Sequence, residues 1–218
     1  MKISILTLFP QMFQGPFDFS IIKRASENGL VEIEFVDIRS FGVGKHRIVD
    51  DKPYGGGVGM ILRADVLKNA IEASIDKKLP KNQRRVILLS ASGKTFSQKA
   101  AVKFSKLKQL VIVCGHYEGV DERIKKYIDD EVSIGNYVLT GGEIPAMVIA
   151  DSVARLVTGV LKENATQNES FSIDEDVLEH PQFTRPEKFD NQTVPEILIS
   201  GNHKKIEDWK KDHQKKAN

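Results

Sequence analysis

The stretch QLVIVCGHYEGVDER, residues 109–123, decides the fold. It opens with an apolar run over residues 110–114, which is typical of a strand buried on both faces of a parallel sheet. A glycine follows at once, and Asp121 stands where the N-terminal cap of a helix is expected. A buried strand that turns through glycine into a helix is a repeating unit of α/β proteins. The stretch therefore predicts an α/β fold.

The same alternation extends over the first 160 residues. Short apolar runs predict strands at 3–9, 31–38, 85–90, 110–114 and 131–140. Helical spacing of apolar residues predicts helices at 18–28, 64–77, 97–108, 121–129 and 143–160. Ser97 provides a second capping residue, and Gly29 is placed to end the first helix. We therefore expect a mostly parallel sheet that is covered by helices.

The composition is typical of a globular protein. Hydrophobic residues make up 40% of the 218 residues and the formal net charge is +2, which excludes disorder for the bulk of the chain. The sequence contains no apolar run of about 18 residues that would span a bilayer, and its N-terminal segment lacks a signal-peptide cleavage site. Cys114 is the only cysteine, which excludes an internal disulfide and favours a cytoplasmic location. The five histidines show no zinc-ligand spacing, so we expect no metal ligands.

Two glycine-rich segments resemble nucleotide-binding motifs but lack their defining features. PYGGGVGM, residues 53–60, follows no buried strand, so it is not a dinucleotide-binding motif, and a flexible surface loop is equally consistent with it. LLSASGKT, residues 88–95, ends like a phosphate-binding P-loop. The position five residues before Gly93 is Leu88 rather than glycine, which excludes an NTPase.

Three loops are nevertheless expected to meet at one edge of the sheet. Ligands bind at the carboxyl ends of the strands in open α/β sheets, so residues 90–95, 114–121 and 135–142 predict a single cleft. Its backbone amides and apolar side chains suit an adenine ring and an uncharged ribose better than a triphosphate. Cys114 also permits the interpretation of a thiol nucleophile, although a single cysteine at a strand end is more often simply buried.

The sequence changes character near residue 162. Residues 162–176 are polar with little apolar periodicity, which predicts a linker. Residues 177–218 are too few to bury a large core, so we expect them to pack on the first domain or on another subunit. The predicted organisation is a domain over 1–161, a linker over 162–176 and a small C-terminal domain over 177–218.

Six blocks stand in the order and spacing of bacterial tRNA (guanine-N1)-methyltransferases, which the whole chain resembles. The most specific blocks are CGHYEGVDER (114–123) and SIGNYVLTGGE (133–143). The others are HRIVDDKPYGGGVGM (46–60), DSVARLVTGVL (151–161), FTRPE (183–187) and LISGNHKKIEDW (198–209). Agreement of six blocks in one order is not plausibly accidental.

The resemblance implies a fold and a reaction that no pattern in the sequence would propose. The fold is the SPOUT fold, a mostly parallel sheet with a deep C-terminal trefoil knot, followed by a small, mainly helical domain that binds tRNA. The reaction is methylation of N1 of guanosine 37 in tRNA, 3′ of the anticodon, with S-adenosylmethionine as the donor. The resemblance further implies a homodimer with the active site at the subunit interface, and stimulation by Mg²⁺.

The resemblance also assigns site residues, position by position. It implies cofactor-binding roles for Leu88, Leu89, Ser90, Gly115, Tyr117, Glu118, Ile134, Gly135, Asn136, Tyr137, Val138, Leu139, Gly141 and Gly142. Glu169 falls on the general base, and Arg155 on the residue that balances charge on guanine O6. The substrate-binding positions are Gly57, Gly59, Ser170, Arg185 and His203.

Several positions depart from the family pattern. Glu169 stands where relatives carry aspartate, and the linker before it is one residue shorter. His116 stands where relatives usually carry arginine, and the C-terminal domain is shorter than in many of them. These departures leave two alternatives open: a catalytically weak relative that binds S-adenosylmethionine and RNA, and a SPOUT enzyme that methylates ribosomal RNA.

Overall fold

The computed structural model describes residues 1–163 and 165–217 of the chain. These residues form two compact units, Met1–Lys162 and Glu163–Asn218. The first unit contains the central sheet and the helices that pack on it. The second unit contains short helices and two-residue strands.

The first unit is built on a five-stranded sheet in which every neighbouring pair of strands is parallel. The strands of this unit are β1 (Lys2–Thr7), β2 (Glu32–Asp37), β3 (Asp50–Asp51), β4 (Ile61–Leu62), β5 (Arg84–Thr95), β6 (Gln109–Cys114) and β7 (Asp130–Ser133). Their order across the sheet is β2-β1-β6-β5-β7, while β3 and β4 form a separate antiparallel pair. The predicted α/β class with a mostly parallel sheet is confirmed.

Helices cover both faces of this sheet because its side chains alternate between two cores. The helices are α1 (Ser20–Glu27), α2 (Ala64–Ser74), α3 (Gln98–Ser105) and α4 (Glu143–Ala154). Ile87 and Leu89 of β5 pack in a core with α1, α3 and α4, whereas Val86 and Leu88 pack in a second core with α2. This period of two is the pleat of the strand itself. All six residues of β6 are buried, as expected for a strand with helices on both faces.

Two predicted elements differ from the observed ones near the edge of the sheet. The strand predicted over 131–140 ends at Ser133, where the Ser133 hydroxyl donates a hydrogen bond to the Gly135 carbonyl and starts a turn. The segment predicted as a helix over 121–129 is a short 3₁₀ helix over Glu122–Tyr127. Asp121 does cap it, since its carboxylate accepts a hydrogen bond from the Arg123 N–H. The capping residue therefore predicted where this helix begins, but it did not determine whether the helix is α or 3₁₀.

Two other boundaries moved for packing reasons. The last predicted helix ends at Ala154 instead of residue 160. The strand predicted over 85–90 continues to Thr95, because β5 pairs with β7 a second time beyond an irregularity between Leu89 and Lys94. The second half of β5 is a strand only because it pairs with the neighbouring strand β7.

The second unit is held by small pairings and one aromatic cluster. Its elements are β8 (Val177–Leu178), β9 (Lys188–Phe189), β10 (Gln192–Thr193), α5 (Glu196–Ile199), α6 (His203–Asp212) and β11 (Lys215–Lys216). β8 pairs with β11, and β9 pairs with β10, both antiparallel. The Trp209 ring stacks on His213 with 4.0 Å between ring centroids, and the rings of His180 and Phe183 approach it at 6.0 and 6.2 Å. This cluster provides the apolar centre of an otherwise exposed unit.

Gly93 of β5 lies against the backbone of β7, so a substitution at this position tests the packing between the two strands. A Cβ atom at position 93 would lie 2.5 Å from the Val132 nitrogen, a backbone atom that cannot rotate away. We expect Gly93→Ala to lower the free energy of unfolding by about 1–3 kcal/mol, as for other overpacked sites. Chemical denaturation measures this change, with the exposed neighbour Lys94→Ala as the matched control. Equal stability of the two variants would contradict the β5–β7 packing.

Candidate functional site

A cavity of about 420 Å³ opens beside the middle of β5 and the carboxyl ends of β6 and β7. Most of its lining comes from three segments: the middle of β5, the loop after β6, and the loop that joins β7 to α4. The sequence predicted that these segments converge, but it predicted residues 90–95 as a loop, whereas they belong to β5 and only residues 90–92 of them line the cavity. All of them belong to the first unit, so the cavity is a property of that unit by itself.

Nearly all of the predicted cofactor-binding residues line this cavity. They are Leu88, Leu89, Ser90, Gly115, Tyr117, Glu118, Ile134, Gly135, Tyr137, Val138, Leu139, Gly141 and Gly142. Asn136 is exposed and is not among the lining residues. The lining also contains residues that sequence reasoning did not assign: Ala91, Ser92, His116, Gly119, Val120, Glu122, Lys125, Glu131, Val132, Ser133, Thr140 and Pro145.

The loop between β7 and α4 folds back to the end of β6 through glycine contacts. The Gly142 N–H donates a hydrogen bond to the Gly115 carbonyl at 2.8 Å. A Cβ atom on Gly142 would lie 2.7 Å from the Cα atom of Cys114, so only glycine allows this approach. The contact closes one side of the cavity with backbone.

Polar side chains form a connected network on the rim of the cavity. The Ser92 hydroxyl lies 2.8 Å from the Ser90 hydroxyl and donates to the Glu131 carboxylate at 2.9 Å. The Lys125 ammonium lies 3.1 Å from Glu131 and 3.0 Å from Glu122. Burial acts to raise the pKa of Glu131, but these hydrogen bonds and the lysine outweigh it and hold the pKa below its ordinary value. Glu131 is therefore an ionised acceptor at neutral pH.

A buried carboxylate that sequence reasoning did not single out follows directly after the lining residues Gly141 and Gly142. Glu143, the first residue of α4, is 2% exposed, and its Oε1 accepts a hydrogen bond from the Thr7 hydroxyl at 2.7 Å. Thr7 and Glu143 are 136 residues apart in the chain, so no local pattern could have paired them. Burial raises the pKa of the neighbouring Cys114 thiol well above its ordinary value, and the Glu143 charge adds to this effect. Cys114 is thus a poor nucleophile.

The glycine-rich segment 53–60 forms an exposed loop tied to the cavity wall. Gly57 and Gly59 have φ angles of +129° and +97°, which L-residues rarely adopt. Gly59 packs against the Glu118 side chain, and the Glu118 N–H donates to the Met60 carbonyl at 3.1 Å. Tyr54 is 96% exposed at the start of the loop. The loop therefore presents apolar and backbone groups beside the cavity rather than inside it.

The predicted catalytic and substrate-binding residues are divided between the two units. Arg155 is the C-terminal cap of α4 in the first unit, and it is half-buried. Glu169 and Ser170 occupy a turn of the second unit, which also contains Arg185 and His203. The Glu169 carbonyl accepts the Ser172 N–H at 3.1 Å, and the Ser170 hydroxyl accepts the Glu179 N–H at 3.1 Å.

Two further features bear on the class of the protein. Within residues 1–163 and 165–217, no group of three or more His, Cys, Asp or Glu side chains is placed to hold a metal ion. In the same part of the chain, every helix is too short or too polar to cross a bilayer.

Comparison with known proteins gives a consistent result over the full length. The family model described as tRNA (Guanine-1)-methyltransferase TrmD matches residues 1–218. A tRNA (guanine-N(1)-)-methyltransferase of Carboxydothermus hydrogenoformans is 52% identical over 213 residues, which cover 97% of this chain and 81% of that protein. Proteins of the same name from Dictyoglomus turgidum and Listeria welshimeri are 51% and 52% identical over 212 residues. These matches cover 97% and 96% of this chain and 84% and 85% of the relatives.

The environment of Cys114 makes its reactivity testable. Because its pKa is raised by burial, little thiolate is present in the folded protein. We expect alkylation of the native protein at pH 8 to be at least about 100-fold slower than alkylation of the denatured chain. A thiol-reactive chromophore measures both rates. Rapid native labelling would contradict the buried placement and revive the thiol-nucleophile interpretation.

Proposed function

The chain belongs to the tRNA (guanine-1)-methyltransferase TrmD family, and we propose that it methylates N1 of guanosine 37 in tRNA, 3′ of the anticodon. The observation that carries the proposal is the full-length family match together with a cavity at the predicted strand ends. Methylation at this position protects the reading frame. S-adenosylmethionine is the donor that the family implies.

The cavity has the properties that this donor requires. Gly142 and Gly115 keep backbone close to the open space, and a Cβ on Gly115 would meet the Leu89 carbonyl at 3.1 Å. Tyr137, Val138 and Leu139 expose 55%, 87% and 39% of their surface, so they offer apolar area for an adenosine to cover. The rim network around Glu131 offers acceptors for polar groups of the donor. When bound, S-adenosylmethionine supplies an electrophilic methyl group.

The acceptor side of the reaction requires a base and a countercharge. Guanine N1 carries a proton at neutral pH, and Glu169 accepts it, while Arg155 balances the negative charge that develops on O6. The Glu169 carbonyl accepts the Ser172 N–H and the adjacent Ser170 hydroxyl accepts the Glu179 N–H, which supports a base whose backbone position is set before substrate binds. Gly57, Gly59, Ser170, Arg185 and His203 contact the tRNA in this proposal.

The trefoil knot is part of the proposal, and the chain path supports it. β7 lies at the edge of the sheet beside β5, yet residues 141 and 142 return to the end of β6, beyond β5. Gly141 pairs there with His116 as an isolated antiparallel bridge. A chain that leaves the edge strand of a sheet and returns to the end of an interior strand can pass through the loop that follows the interior strand.

We also propose that the domains have different roles. Residues 1–161 form the catalytic domain, 162–176 the linker and 177–218 the tRNA-binding domain. Lys204, Lys205 and Lys211 are exposed on α6, where they can contact phosphates. Stimulation by Mg²⁺ stays a prediction.

A homodimer with the active site at the subunit interface completes the proposal. Ile144 and Val148 are 49% and 42% exposed one turn apart on α4, which is an apolar strip of the kind that a partner covers. A two-fold symmetric dimer would place the strips of both subunits in one interface.

The proposed base is tested by substitution and mass spectrometry of tRNA. Glu169→Gln keeps the size of the side chain but cannot take the N1 proton, so we expect the methylation rate to fall about 10²–10⁴-fold. The exposed carboxylate Glu163→Gln is the matched control and keeps the full rate. Mapping the product at single-nucleotide resolution distinguishes N1 of guanosine 37 from a ribosomal target. A wild-type rate in Glu169→Gln would place the base elsewhere.

Glu169→Asp distinguishes two origins of the longer side chain. If the shorter linker compensates for glutamate, aspartate stands about 1 Å too far from N1 and the rate falls about 10²-fold. If glutamate is instead a weakened base, aspartate raises the rate, and the wild-type protein is the catalytically weak relative. Single-turnover kinetics at saturating donor measures the difference.

The dimer is tested by light scattering. We expect twice the chain mass of 24.4 kDa at micromolar concentration. Val148→Asp places a charge in the apolar strip and should shift the protein to monomers, because burying an unpaired charge is costly. Val43→Asp, on a residue that is 43% exposed elsewhere, is the control. A monomeric wild-type protein would contradict the proposed interface.

A further inference from the structure

His116 carries an unsatisfied buried atom in the wall of the cavity. Among the described residues, its Nδ1 is the single buried side-chain nitrogen or oxygen with no hydrogen-bond partner. A buried polar atom without a partner costs free energy, so such atoms usually mark a place where another state supplies the partner. His116 lines the cavity that the proposed function assigns to the methyl donor.

The imidazole ring is held in place and cannot simply turn to solvent. Phe9 and Tyr117 contact it edge to face, with ring centroids at 5.0 and 4.8 Å. The His116 backbone pairs with Gly141 across an antiparallel bridge, which ties it to the loop before α4. The orientation of Nδ1 is therefore set by packing rather than by a hydrogen bond.

His116 Nδ1 and the buried Glu143 carboxylate both lie close to the point that a Cβ atom on Gly141 would occupy. A Cβ atom built on Gly141 would stand 2.7 Å from His116 Nδ1 and would also contact Glu143 Oε2. The Thr7 hydroxyl holds the other oxygen of that carboxylate, Oε1, at 2.7 Å. The unpaired nitrogen and the second carboxylate oxygen thus lie close to the same point beside Gly141.

We propose that His116 is a positioning residue for the methyl donor: its Nδ1–H bonds to Glu143 when the turn at 140–142 closes on the ligand. This inference rests on the proposed function, because it takes the cavity to be the donor site. The bond joins the loop after β6 to the first residue of α4, so it fixes the two walls between which Gly141 and Gly142 lie. Thr7 contributes by keeping the Glu143 carboxylate aimed at the turn.

Two substitutions at position 116 separate the role of the Nδ1 atom from the role of the aromatic ring. His116→Phe keeps an aromatic ring for Phe9 and Tyr117 but has no nitrogen. His116→Asn loses the ring but can place an amide N–H at the position of Nδ1. If Nδ1 bonds to the buried Glu143 carboxylate, we expect His116→Phe to bind S-adenosylmethionine about tenfold more weakly than the wild type. We expect the affinity of His116→Asn to stay within about twofold of the wild-type value. A purely packing role predicts the reverse order.

Calorimetric titration of the full-length protein with S-adenosylmethionine decides between these outcomes. Steady-state kinetics adds a second measure: the KM for the donor should rise in His116→Phe while kcat at saturating donor stays near the wild-type value. Thr7→Val, which keeps the shape of the side chain and removes its hydroxyl, should weaken donor binding in the same direction. Thermal unfolding of each variant shows whether a loss of binding is a loss of fold.

Each result bears on a distinct claim. If His116→Phe binds S-adenosylmethionine as tightly as the wild type, or if only His116→Asn loses affinity, the positioning role is overturned. The proposed function is unaffected by either result. Absence of donor binding in the folded wild-type protein overturns the proposed function, and the positioning role with it.

Discussion

The close backbone contact between Gly142 and the end of β6 is the constraint on which the site depends. It needs a residue without a side chain at position 142, because a Cβ on Gly142 would overlap the Cys114 Cα. The hydrogen bond from Gly142 to Gly115 then fixes where α4 begins. Because α4 starts there, its first residue, Glu143, is buried, and the loop before it becomes a wall of the cavity.

Buried polar groups follow from this placement and are satisfied across large distances in sequence. Glu143 depends on Thr7 of β1, and Gln109 of β6 pairs with the backbone at Ser74 and Asp76 beyond α2. A buried polar group without such a partner would destabilise the fold, so these bonds also specify which elements lie together. Among residues 1–163 and 165–217, His116 is the exception, and it lies in the lining of the cavity.

The proposed reaction draws its residues from both units. A sulfonium donor needs little activation, so most of the catalytic requirement falls on deprotonating and orienting the acceptor. In the proposed reaction, Arg155 belongs to the unit with the cavity and Glu169 to the second unit, where its carbonyl accepts a hydrogen bond from the Ser172 N–H. A fold class alone would not reveal this, since parallel α/β sheets support many reactions.

The sequence by itself determined the α/β class, the approximate positions of the core strands and the segments that line most of the cavity. These follow from apolar runs, helical spacing and glycine positions, which act over a few residues, and the specific blocks at 114–123 and 133–143 added the family. Tertiary structure alone decided the extension of β5 to Thr95, the end of β7 at Ser133, the Thr7–Glu143 pair and the unpaired His116 nitrogen. Each of these depends on a neighbour that is distant in sequence or on the close approach of two backbones. Local propensity contains no information about such contacts, because they exist only after the chain has folded.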